Sequence, residues 1–114
     1  PEYHTSLDDL RFISGKGLYG SFKILKKVLE IIEINFTYKN IYKNLCEPKL
    51  SDYNLRAPVS FKKTYNYDKN LLNILFYANG KRDLIELSKK TKVDIFEANQ
   101  IINKLIRSKL IKKI

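Results

Sequence analysis

Apolar residues recur through the first third of the chain with the period of one helix face. Leu18, Phe22, Leu25, Leu29, Ile32 and Phe36 follow one another at steps of four, three, four, three and four. This spacing predicts an amphipathic helix over 18–36. A second row, Ile24, Val28 and Ile31, lies beside the first and widens the apolar face, while Lys23, Lys26, Lys27, Glu30 and Glu33 fill the remainder. Ser21 reads as the N-cap, and nothing breaks the run before Asn35. The preceding stretch, with Gly15, Gly17, Gly20, Ser14 and the pair Asp8-Asp9, reads as irregular. So broad a stripe requires a large surface such as a sheet to cover it. The first 60 residues offer none, since only 40–45 reads as a short strand.

Residues 46–60, with Pro48, Ser51, Asp52, Asn54 and Pro58, read as a linker or surface loop. The alternation in Phe61–Tyr67 suggests a strand. Three helical segments follow in close order. The first covers 70–78, with Leu71, Ile74, Leu75 and Ala78 inward, and stops at Asn79-Gly80. The second begins at Asp83 and has Glu86 three residues on, an aspartate version of the capping box. The third repeats the device with Asp94 and Glu97 and turns Ile95, Ala98, Ile101, Ile102, Leu105 and Ile106 inward. The apolar tail 110–114 suits a terminal strand. Two helices separated by a tight turn at Thr91–Val93 form a helix-turn-helix. With the helix before them and flanking strands they look like a small winged helix. The fold class expected is α+β, mostly helical: a segment of a larger domain over 1–60, then a winged helix-turn-helix domain over 61–114.

Composition adds a direction to this plan. The chain of 114 residues carries 22 Lys+Arg against 12 Asp+Glu, a formal net charge of +10. Residues 1–60 hold nine basic and seven acidic side chains, whereas 61–114 hold thirteen basic and five acidic. A basic half-domain suits a nucleic-acid or acidic partner. The same excess follows from composition alone: 18 of the basic residues are lysine, beside 14 isoleucines and 10 asparagines, all with A/T-rich codons. The single cysteine, Cys46, excludes an internal disulfide framework and points to a reduced compartment, with cytoplasmic localisation expected. No apolar run approaches the roughly 18 residues of a membrane span, so no membrane partner is expected. The sequence contains no methionine, and is therefore read as a fragment of a longer protein.

Little of this supports catalysis within the chain. His4 is the only histidine, and a catalytic zinc site takes three protein ligands and an open position. Glu2, Asp8 and Asp9 are the only other donors near it in sequence, which by itself favours a surface histidine. There is no second histidine to pair with a nucleophile, Cys46 has no charged trigger close in sequence, and no phosphate-cradling glycine loop is present.

The stretch Pro1-Glu2-Tyr3-His4-Thr5-Ser6-Leu7-Asp8, followed by Phe12-Ile13 and the long helix, resembles the last part of a zinc aminopeptidase-like protein. That bacterial and archaeal family is also labelled as polysaccharide-biosynthesis proteins with an aminopeptidase-like domain, and its members end in a winged helix. The similarity continues through Cys46-Glu47-Pro48-Lys49-Leu50 and 71–80 into the capped helices, so it covers essentially the whole chain, with the first eight residues as its most specific part. The resemblance implies that His4 is a zinc ligand in the intact protein, whose remaining ligands and catalytic base lie upstream. It implies Glu2 and Tyr3 as neighbours of the metal. It implies no role for Lys49, which stands where the family often has glutamine. It also gives the helix over 18–36 a partner, the peptidase sheet. Separated from that sheet, the helix is expected to self-associate or to pack on the winged helix.

The resemblance therefore implies a fragment that is no enzyme alone, from a parent that is a zinc metallo-aminopeptidase acting on peptides. Its partners are the upstream peptidase domain and further copies in a homo-oligomer, with the winged helix serving packing or protein interaction. The competing reading is a DNA-binding module. Its third helix presents Asn99, Gln100, Asn103, Lys104 and Arg107 outward, and Asn or Gln can pair with adenine edges. Against it, one strand after that helix leaves no hairpin wing.

Overall fold

The computed structural model describes residues 13–43, 46–56 and 64–114. The chain is α+β and mostly helical, and divides into two compact units, 1–33 and 34–114.

In the first unit the described structure is a helix, α1 (Gly15–Ile34), with no buried residue. It begins earlier than the apolar period suggests because Ser14, not Ser21, starts it: the Gly17 N–H donates to Ser14 Oγ at 3.1 Å, and the Leu18 N–H to the Ser14 carbonyl at 3.0 Å. Gly15, Gly17 and Gly20 are therefore helical rather than irregular. Leu18, Phe22, Leu25, Leu29 and Ile32 are 60–62% exposed, so the face the sequence marks as apolar is uncovered among the described residues.

The second unit contains β1 (Thr37–Asn40), a 3-10 turn at Leu50–Tyr53, α2 (Thr64–Tyr77), β2 (Asn79–Asp83), α3 (Leu84–Thr91), α4 (Ile95–Arg107) and β3 (Ile111–Lys113). The three strands form one antiparallel sheet in the order β2-β1-β3. Its central strand thus comes from before the helices. Because β1 pairs on both sides with strands of the C-terminal half, the compact unit reaches back to Ile34, whereas the sequence pattern places a boundary at 60/61. β1 also lies earlier than the strand expected over 40–45. Tyr38 is its inward residue, and the Asn40 side chain ends it by donating to the Leu75 carbonyl (3.2 Å) and accepting from the Tyr42 N–H (2.8 Å).

The strand expected at Phe61–Tyr67 is not formed from Thr64 onward, where α2 begins. Tyr67, Leu71, Ile74, Leu75 and Ala78 make one helical stripe, and Tyr67 packs against the core. The supposed linker is anchored as well: Pro48, Leu50 and Leu55 are buried. Leu71, Ile74, Ala78, Leu84, Leu87, Ala98, Ile102 and Leu105 are fully enclosed, and Tyr38 and Ile111 close the core from the sheet. The inward residues expected on 70–78 are all buried. Of those expected on α4, Ala98, Ile101, Ile102 and Leu105 are buried, and Ile95 and Ile106 are partly so.

Candidate interaction surfaces

The helix-turn-helix is built by local polar contacts around a short turn. Asp83 Oδ1 accepts from the Glu86 N–H at 2.8 Å, and the Asp83 N–H donates to Glu86 Oε2 at 3.2 Å, which completes the capping box. Asn35 reinforces this end of α3. Its amide donates to Asp83 Oδ2 (3.0 Å), and its oxygen accepts from the Ile85 N–H (3.2 Å). Lys92 then takes the left-handed conformation (φ 58°), with its N–H on the Ser88 carbonyl. Ser88 Oγ donates to the Val93 carbonyl at 2.6 Å and fixes the turn while Val93 is buried.

The second cap is only half of the expected box. Asp94 Oδ1 accepts from the Phe96 and Glu97 N–H groups at 2.9 and 3.3 Å. Glu97 does not reach back; its Oε1 accepts from Asn70 Nδ2 at 3.2 Å and ties α4 to α2.

On α4, Gln100, Asn103, Lys104 and Arg107 are exposed and Asn99 is half-buried, so the helix does present the polar face read from the sequence. Lys104 is already engaged: its Nζ donates to the Tyr67 hydroxyl at 2.8 Å and lies 4.8 Å from that ring's centre. The strand after α4 pairs with β1 at one edge of the sheet. Tyr67–Lys104 and Asn70–Glu97 were not legible in the sequence, because each joins residues 37 or 27 positions apart.

The chemical candidates are few. His4, Glu2 and Tyr3 lie outside the described residues. Among the described residues no group of three or more His, Cys, Asp or Glu side chains is placed to hold a metal ion, so these residues alone do not fit a zinc site. Cys46 is exposed, and borders an open cleft of about 350 Å³ lined also by Tyr42, Pro48, Leu72, Leu75 and Phe76. Lys49 pairs with Asp52 at 3.5 Å on the surface. Burial pushes the Tyr38 phenol above its ordinary range, while its hydroxyl donates to the Ile34 carbonyl at 3.3 Å. No described helix is long and apolar enough to cross a membrane.

Comparison with known proteins finds matches in both parts of the chain. A domain of unknown function (DUF4910) matches residues 1–35, and a winged helix-turn-helix family matches residues 37–113. A protein of Clostridium acetobutylicum named "Putative polysaccharide biosynthesis protein with aminopeptidase-like domain" is 29% identical over 111 residues, 96% of this chain and 25% of that protein. The crystal structure of a "putative peptidase" from the same organism superposes with a TM-score of 0.77 and 27% identity, over 100% of this chain and 24% of the crystallised one. This chain therefore spans about a quarter of the length of these relatives. The capped helix pair, its turn and the sheet that closes beneath it agree with the match over 37–113: the chain belongs to the winged helix-turn-helix family.

Proposed function

We propose that this chain is the C-terminal part of a zinc-dependent aminopeptidase, to which it contributes one metal-ligand histidine, His4, and a winged helix that serves packing or protein interaction. The observation that carries this reading is the likeness of the entire chain, at a TM-score of 0.77, to about one quarter of the crystallised "putative peptidase". The match of residues 1–35 to a separate domain supports it too, because that match contains His4 and most of α1. The other zinc ligands and the catalytic base come from the rest of the parent. When bound there, zinc supplies Lewis-acid activation for peptide hydrolysis; the part of this chain is to provide the His4 imidazole and to hold its own segment in place. The apolar face of α1 is the surface that meets the upstream peptidase domain, and the intact protein works in the cytoplasm, with further copies in a homo-oligomer.

The test is zinc content and aminopeptidase activity of the full-length parent beside His4→Ala. Loss of both metal and hydrolysis is the expected result. Unchanged metal and activity would return His4 to the surface and remove the metal role.

DNA binding by α4 is the weaker reading. One of its candidate contacts, Lys104, is already held by Tyr67. Duplex binding by this chain is expected to fade with salt and to ignore Gln100→Ala and Asn103→Ala, as phosphate attraction without base contacts does.

A further inference from the structure

We infer that the outer face of the β2-β1-β3 sheet is a docking surface for a carboxylate-rich protein surface. The inference deepens the reading of the winged helix as an interaction module and rests on it.

The sheet sorts its side chains sharply. Tyr38 and Ile111 are buried, while Lys39 and Lys112, their neighbours along β1 and β3, are exposed and stand directly opposite one another across the strand pair. Like charges at opposed positions of an antiparallel pair destabilise it. Neither lysine has an acidic partner among the described residues, where ion pairs such as Lys26–Glu30 and Lys49–Asp52 lie elsewhere. Four acids of the same unit are committed elsewhere. Asp83 and Asp94 cap helices, Glu86 closes the box on Asp83, and Glu97 binds Asn70.

Gly80 shapes the bed on which this charge lies. A Cβ at this position would come within 3.3 Å of Lys39 Cδ and of Ile114 Cδ1. The Lys39 methylenes therefore lie across the bare β2 backbone beside Ile114, which is 61% exposed. β2 adds exposed Lys81, whereas Lys113, opposite the inward Tyr38, belongs to the other face and its ammonium sits over the Phe36 ring. The result is a cluster of ammonium groups, those of Lys39, Lys81 and Lys112, with no acidic partner among the described residues, around a small apolar spot.

The kind of partner follows from what the face lacks. Single-stranded nucleic acid binds sheets through aromatic rings on which bases stack. Thr37, Lys39, Lys112 and Ile114 supply none on β1 and β3, and Tyr38 faces the core. Duplex readout in this fold falls to a helix in the major groove, not to a sheet face. Ammonium groups beside an aliphatic side chain suit carboxylates set around an apolar contact on another protein.

The test uses the whole chain and two fluorescent probes, a twelve-residue oligoglutamate peptide and a 20-base-pair duplex of arbitrary sequence. Lys39→Gln/Lys81→Gln/Lys112→Gln is compared with a control that removes three charges from the helices, Lys23→Gln/Lys69→Gln/Lys89→Gln. The sheet variant is expected to weaken oligoglutamate binding about tenfold, and the control less than about twofold. Lys112→Glu, which sets opposite charges across the pair, is expected to weaken binding without lowering Tm, and so separates lost docking from lost folding. Equal losses in the two triple variants would mean generic lysine attraction and overturn the inference alone. A duplex that loses as much as oligoglutamate on the sheet variant would overturn the protein-interaction reading as well.

Discussion

Gly80 and Tyr38 show how much single positions of the small sheet are asked to do. Gly80 has φ 85°, and a Cβ added there would come within 3.3 Å of the Lys39 stem, so both backbone and space oppose a side chain there. Gly80→Ala is expected to cost about 1–2 kcal/mol, read as a lower urea midpoint. Tyr38 is 3% exposed, and burial raises its pKa above the 10.0 of an open phenol. Above pH ~10 the unfolded chain releases this proton before the folded one does. Tyr38 therefore costs no stability below that pH and lowers it progressively as pH rises toward the folded value. Tyr38→Phe is expected to flatten this alkaline loss in Tm against pH. At neutral pH it loses the bond to the Ile34 carbonyl, about 0.5–1.5 kcal/mol.

At the scale of elements, α3 and α4 start with the same sequence device but different bonds. Asp83 takes part in the full box and also accepts from Asn35, whereas Asp94 caps two N–H groups without reciprocation. Asp83→Ala is therefore expected to cost about 2 kcal/mol and Asp94→Ala about 1 kcal/mol, measured by chemical unfolding. Glu97→Ala should loosen α2 from α4 without uncapping α4, because its carboxylate serves Asn70. These caps were legible because capping is local: donor and acceptor lie within three residues. The missing half of the second box was not, since Asn70 competes from another helix.

For the whole molecule, the division into two units decides which changes spread. Among the described residues the core of the second unit draws on nothing before Ile34, while α1 carries eight large hydrophobic side chains from Leu18 to Ile32 that are 46–66% exposed. Leu25→Glu/Leu29→Glu is expected to reduce concentration-dependent association in sedimentation velocity and to leave the unfolding midpoint of the winged unit within about 0.5 kcal/mol, as for surface changes. A matching fall in that midpoint would show that α1 supports the winged unit.

The sequence by itself determined every helix that carries a strong 3.6-residue period, both cap aspartates and the inward residues of α2 and α4, because each depends on neighbours within a few positions. It also marked the apolar face of α1 as one that needs a partner. Tertiary structure alone decided the rest. Thr37–Asn40 and Asn79–Asp83 have no alternating apolar pattern of their own and become strands only when they pair with each other and with Ile111–Lys113. Tyr67 could be read into either period until α2 turned it toward the core. Lys39 and Lys112 lie 73 positions apart, and only the antiparallel register sets one charge against the other.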